Sequence, residues 1–281
     1  MADRVTEKLL RHIHAAHNAA LPGDRHPFRV GGHAVGWLKP DFAEALAEMA
    51  SLPRDGDGRV TLPADRAAEL PDIARALSDA SWFRWRGEEF DVRESDAGPA
   101  LARIDRGAVP SFGIVSHGVH CNGLVWKPDG LHLWVARRAA DKLLDPGKLD
   151  HIVAGGVSAG MSAEETLIKE SEEEAAVPPA LAAAARHVGR IRYDMERAEG
   201  LRRDLLYCYD LDLPEDFMPS PSDGEVAGFE LWPIERVFET VLETDAFKFN
   251  VNLVLIDLFL RQGLVRDEGA ARTLRHVLTR T

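Results

Sequence analysis

The chain has 281 residues, 45% apolar and 7% aromatic, a globular composition that excludes disordered, collagen-like and fibrous classes. Its 46 acidic residues outnumber 34 basic ones for a net charge of -12; this balance repels a phosphate backbone and argues against a nucleic-acid polymer as partner. Cys121 and Cys208 are the only cysteines, too few for a disulfide framework and without the CxxC spacing of a zinc site, so a reducing cytoplasm fits best.

In chain order, Val5 to Ala20 has helical periodicity, and Glu7, Lys8 and Arg11 interrupt any signal-peptide core. Further helices are expected over Asp41 to Ser51 and Ala64 to Ala80, followed by a turn at Arg86 to Glu88 between the aromatic-rich extended runs of Trp82 to Val92. Turn formers at Pro53 to Leu62 and Ser95 to Pro99 mark residues 1–108 as a small α+β domain that shapes a pocket, leaving residues 109–281 as the chemical domain. There, strands are expected at Phe112 to Val115, Val119 to Trp126, Leu131 to Arg137, Val188 to Asp194, Leu205 to Leu211 and Gly228 to Leu231. Helices follow Ala163 to Ala176 and about Asp245 to Gln262. The apolar run Val251 to Leu260 is too short to span a bilayer, so no membrane segment is expected.

The chemistry-bearing segment is Ala154 to Val177, AGGVSAGMSAEETLIKESEEEAAV. Gly155, Gly156 and Gly160 permit a tight loop and close backbone approach to a ligand. Ser162 with Glu165 forms a capping-box pattern, and Pro178-Pro179 stops the helix. At about 100° per residue, Glu170, Glu173 and Glu174 share one arc of this helix, while Glu172 projects away toward solvent. Like charges so spaced destabilise a helix unless a divalent cation lies between them; without a ligand the same run is an exposed charged face.

This segment resembles the Nudix box, whose helix ends in R-E-x-x-E-E-x-G-hydrophobic; here it reads Lys169 to Val177. All three metal-binding glutamates match. Lys169 replaces the arginine, Ala176 the glycine and Met161 a glutamate, and the glycine loop is one residue shorter. Phe28-Arg29-Val30, Val35-Gly36-Trp37-Leu38, Gly118 to Gly123, Tyr209-Asp210-Leu211 and Asp223-Gly224-Glu225-Val226 are similar to a Nudix subgroup that includes the portion fused to thiamine pyrophosphokinase in some fungi. The resemblance implies an α/β/α sandwich with a mixed sheet and a small-molecule diphosphate substrate, with thiamine diphosphate or an altered form suggested for the subgroup. It also implies Gly155, through its carbonyl, as a ligand beside the three glutamates.

Oxygen ligands of this kind suit Mg²⁺ or Mn²⁺. Glu174 and Glu225 are both candidates for the general base. His120 and Asn122 are candidates to face the substrate, and Arg137 and Arg190 to hold a phosphate. Trp82, Trp85, Trp126 and Trp134 are expected in cores. The alternative to a hydrolase is a ligand-binding or sensor module on the same fold. Self-association as a homodimer stays open.

Overall fold

The computed structural model describes residues 2–141, 144–222 and 224–279. The N-terminal part contains α1 (Ala2–Ala16), β1 (His26–Val30), β2 (His33–Leu38), α2 (Pro40–Met49), β3 (Val60–Leu62), α3 (Leu70–Asp79), β4 (Glu89–Val92), β5 (Ala102–Asp105) and α4 (Val109–Phe112). Strands β2-β1-β3 form one small sheet and β4-β5 a hairpin. Phe28, Leu46, Leu77, Ile104 and Phe112 share their core. The α+β reading of this part therefore holds.

The remainder contains β6 (Val115–Lys127), β7 (Gly130–Arg138), β8 (Leu149–Asp150), β9 (Val153–Gly156), α5 (Ala163–Ala175), α6 (Pro179–Ala182), β10 (Arg186–Arg197), β11 (Gly200–Asp212), β12 (Val226–Pro233), α7 (Ile234–Glu243), α8 (Phe249–Arg261) and α9 (Glu268–Leu278). Its mixed sheet runs β10-β11-β6-β7-β12. Strands β6 and β11 are parallel, and β10-β11, β6-β7 and β7-β12 are antiparallel. The first half of β6 pairs with β9 and the second half with β7, so the sheet forks at the middle of β6.

Alternation along β6 sends Val119, Cys121 and Val125 into the core beneath α5 and α6, and Leu124 into the core beneath α1, α7, α8 and α9. This is the expected α/β/α sandwich. Helix α1 belongs to it physically, because Leu9, Ile13 and Ala16 pack into the core beneath α8 and α9. The first core, in turn, extends through Ile114. The chain thus leaves the first core after Ile114, beyond residue 108, and its first helix packs with the second unit.

Local expectations fail where composition misled. Phe112 to Val115 is not a strand: Pro110 starts the short helix α4, left-handed Gly113 ends it, and β6 begins only at Val115. Of Trp82 to Val92, only β4 is extended. Trp126 and Trp82 are exposed and only Trp134 of the four tryptophans is buried, so the expectation of core packing fails for the first two. Strands β1 to β3 and helices α7 and α9 were not legible beforehand.

Candidate active site

Strand β9 leads through the loop at residues 157–162 into α5. The Ser162 hydroxyl accepts from Glu165 N at 3.1 Å, and the Glu165 carboxylate accepts from Ser162 N at 2.8 Å, which fixes where the helix starts. At its other end Ala176 takes a left-handed conformation, with φ of 53°.

On α5, Glu170 and Glu174 turn toward β9. The Glu174 carboxylate is 7% exposed and accepts from Ala154 N at 2.9 Å. Burial raises its pKa well above the ordinary value, opposed by that hydrogen bond and reinforced by the charges of Asp150, Glu170 and Glu225. Glu170 lies against Gly155 so closely that a Cβ on the glycine would fall 2.5 Å from Glu170 Cγ. Burial also raises the Glu170 pKa. Gly155 is therefore required for approach of the carboxylate, a more specific reason than the ligand approach expected of the loop.

Glu173 sits on the exposed rim. The Lys169 ammonium lies 2.7 Å from Glu173 Oε2 and 3.0 Å from Glu170 Oε1, and these carboxylates raise its own pKa, Glu173 foremost. A cationic group thus stands between two of the carboxylates that the helical arc brings together. The set consists of oxygen donors with a raised-pKa carboxylate at its back, a chemistry that fits a hard divalent cation.

Beside the N-terminal end of α5 lies a cleft of about 470 Å³. One wall comes from the N-terminal domain, with Phe90, Asp91, Arg93 and Asp96; the other comes from the sheet, with His117, His187, Arg190, Tyr207 and Tyr209. The sheet wall is an aromatic array: His117 meets Tyr207 at 5.9 Å between ring centroids, and His187 meets Tyr209 at 5.3 Å. The Arg190 guanidinium makes no hydrogen bond or ion pair among the described residues.

Residues 117–253 match the NUDIX domain, and residues 8–116 match a domain of unknown function (DUF4743). Nudix hydrolase 20, chloroplastic, from Arabidopsis thaliana is 38% identical over 264 residues, covering 88% of this chain and 71% of that protein. Nudix hydrolase 24, chloroplastic, from the same plant is 37% identical over 257 residues, covering 88% and 70%. The protein YJR142W of Saccharomyces cerevisiae is 30% identical over 248 residues, covering 83% and 71%. The chain belongs to the Nudix hydrolase family.

In this Nudix hydrolase the remaining candidates separate by position. Arg190 lines the cleft. Arg137 does not; its guanidinium donates to Gly147 O at 3.3 Å and lies 3.9 Å from Glu230. Glu225 is exposed just ahead of β12, and its charge reaches Glu174. Asp223, beside it in the sequence, lies outside the described residues.

His120 and Asn122 do not reach the cleft, because the pleat of β6 turns them toward α8 while His117 and Val119 face the α5 side. Asn122 donates to Asp210 at 2.9 Å, and Arg261 grips the same aspartate at 2.6 and 3.1 Å. His120 Nδ1 lies 2.9 Å from His151 Nδ1, and its Nε2 lies 3.3 Å from the Asn250 amide. The expectation of substrate contact from these two residues is corrected accordingly.

His120, Asp150 and His151 could each offer a ligand atom within 4.8 Å of the others. Arg138 at 2.9 Å and Lys248 at 3.5 Å already compensate Asp150. Burial opposes ionisation of Asp150, yet Lys248, His120 and Arg138 hold its pKa at about 2. A divalent cation there would face two buried cations, so the Nudix helix suits a metal better. The residues that sequence reasoning missed are those of the cleft walls other than Arg190. Phe90 fell within the aromatic stretch expected to shape a pocket, whereas His117, Tyr207 and Tyr209 carried no signal beyond strand periodicity.

Proposed function

We propose that the protein is a metal-dependent hydrolase of a diphosphate linkage in a small molecule, with thiamine diphosphate or an altered form of it as the substrate class. The observation that carries this reading is the convergence of Glu170 and Glu174 on β9, with Glu173 joined to Glu170 through Lys169. Glu170, Glu173, Glu174 and the Gly155 carbonyl would hold Mg²⁺ or Mn²⁺. The bound ion supplies charge neutralisation for phosphate oxygens and acidifies adjacent water.

The chain's own groups do the rest. Glu174, whose carboxylate burial makes more basic, is one candidate to take a proton from water, and Glu225 is the other. The unpaired guanidinium of Arg190 suits a phosphate oxygen pair. Tyr207, Tyr209 and His117 offer faces for a ring, and Asp96 and Glu164 give the cleft carboxylates that favour a cationic one, Asp91 being already paired with Arg93. Those features support thiamine diphosphate, which carries a cationic heteroaromatic ring. The buried, unpaired Cys121 and Cys208 are consistent with a reducing compartment such as the cytoplasm.

Lys169, neutralising Glu170 and Glu173, favours a second reading in which the site binds a ligand without cleaving it. Phosphate or phosphomonoester release is measured with Mg²⁺ and Mn²⁺ over thiamine diphosphate, its oxidised analogues, nucleoside diphosphate sugars and dinucleotides. Turnover of thiamine diphosphate or its analogues, lost in Glu173→Gln, is expected. Saturable binding without release would establish the second reading.

A further inference from the structure

The N-terminal domain grips the loop that opens the Nudix helix. Ala159 N donates to Glu89 O at 2.7 Å, Gly160 N to Asp91 Oδ2 at 3.1 Å, and Ser158 Oγ to Glu88 Oε1 at 3.0 Å. The Phe90 ring fills the space beside Gly156, where a Cβ would lie 2.5 Å from Phe90 Cζ. These four N-terminal residues, Glu88 to Asp91, run consecutively into and along β4. None of the three hydrogen bonds is available within the Nudix domain itself.

Asp91 is built for the task. Its side chain is only 11% exposed, and Arg93 Nη2 holds the same Oδ2 at 2.7 Å. Gly160 turns through a φ of +81°, and its amide donates to Asp91 across the domain boundary. Immediately after that turn, Met161, Ser162 and Ala163 line the cleft opposite Asp91 and Phe90. The contacts that hold the loop thus lie beside the residues that shape the cleft. The carboxylates on the last turns of α5 are held independently, through Ala154 and Gly155 on β9, which pairs with β6.

We propose that the N-terminal domain is a working half of the active site, with Asp91 as the positioning residue that latches the glycine loop and Phe90 as the wall that bounds the group carried by the diphosphate. The inference rests on the reading of the cleft as the substrate site. It assigns substrate selection to the N-terminal domain and metal binding to α5, so the two are separable by mutation.

The test uses the full chain with Asp91→Ala and Asp91→Asn. Amide exchange is followed over residues 157–162, Mn²⁺ affinity by electron paramagnetic resonance, and kcat and KM on thiamine diphosphate and ADP-ribose. Asp91→Ala is expected to speed exchange of the 159–160 amides at least tenfold and to raise KM at least tenfold, with kcat changed less than threefold and Mn²⁺ affinity unchanged. Asp91→Asn, whose carboxamide oxygen still accepts from Gly160, should preserve protection and KM. Wild-type exchange in Asp91→Ala, or equal losses in both variants, would overturn the latch.

Should Asp91→Ala fail to fold, Gly156→Ala gives the same exchange readout by driving Phe90 off the loop. Adding Phe90→Ala in that background should restore protection, and failure to do so overturns the proposal. If the wild type cleaves neither compound, the substrate reading falls while exchange still decides the latch.

Discussion

The Glu174 carboxylate accepts a hydrogen bond from the amide of Ala154 at 2.9 Å, tying the helix of the Nudix box to the strand that carries Gly155. The residue is buried, so its substitution tests chemistry and packing together, unlike that of rim residue Glu173. Glu174→Gln keeps the volume and an oxygen for the Ala154 amide. It is expected to cut kcat at least a hundredfold while the melting temperature stays at or above wild type, because a buried charge is removed. Glu173→Gln should cut turnover similarly and Glu172→Gln should be silent, since Glu172 is exposed away from the site. Equal effects of all three in a metal-dependent assay would contradict the assignment.

Metal should stabilise the fold, because among the described residues Lys169 alone forms ion pairs with Glu170 and Glu173. Binding to the native state alone contributes about 2.7 kcal/mol at a hundredfold excess over Kd. Differential scanning fluorimetry with millimolar Mg²⁺ or Mn²⁺ is expected to show a raised melting temperature, with the rise lost in Glu170→Gln. Ca²⁺ should stabilise without supporting turnover, being larger and less exacting in geometry.

Stability should fall on acidification because of the buried histidines at the sheet fork. Burial first, then Lys248, lowers the His151 pKa from 6.5 to about 4. Its unfolded form therefore binds the proton more readily between those values, and stability is lost as pH falls from about 6.5 toward 4. From pH 7 to 5 this group should cost about 2 kcal/mol. The pKa of Asp150, held at about 2, adds a further loss only below about pH 4. Urea titrations at several pH values should show the slope near pH 5 to 6 flattened in His151→Asn; an unchanged slope would exclude His151 as its source.

Ala176 occupies a left-handed conformation at the end of α5, where the resembling motif carries glycine. An L-residue pays for that conformation, and glycine does not. Ala176→Gly is expected to raise stability by about 0.5 to 1 kcal/mol, after the loss of unfolded-state restriction is deducted, with kcat unchanged. Chemical denaturation and steady-state rates check both outcomes.

The sequence by itself determined the elements whose causes are local. The capping box at Ser162, the stop before Pro178 and the shared arc of Glu170, Glu173 and Glu174 follow from helical period and end chemistry, and α5 forms as they require. Strands β6, β7, β10 and β11 were legible in large part from their extended, strand-like patterning. Only the tertiary structure decided which side of a strand meets the substrate cleft. His120 and Asn122 look like their neighbours in sequence, but the fork at β6 and the position of α8 turn them into buried partners of His151 and Asp210. The need for Gly155 and Gly156 was equally hidden, since what approaches them is Glu170 from α5 and Phe90 from another domain. Contacts made by residues distant along the chain depend on how layers stack, and neither periodicity nor spacing carries that information.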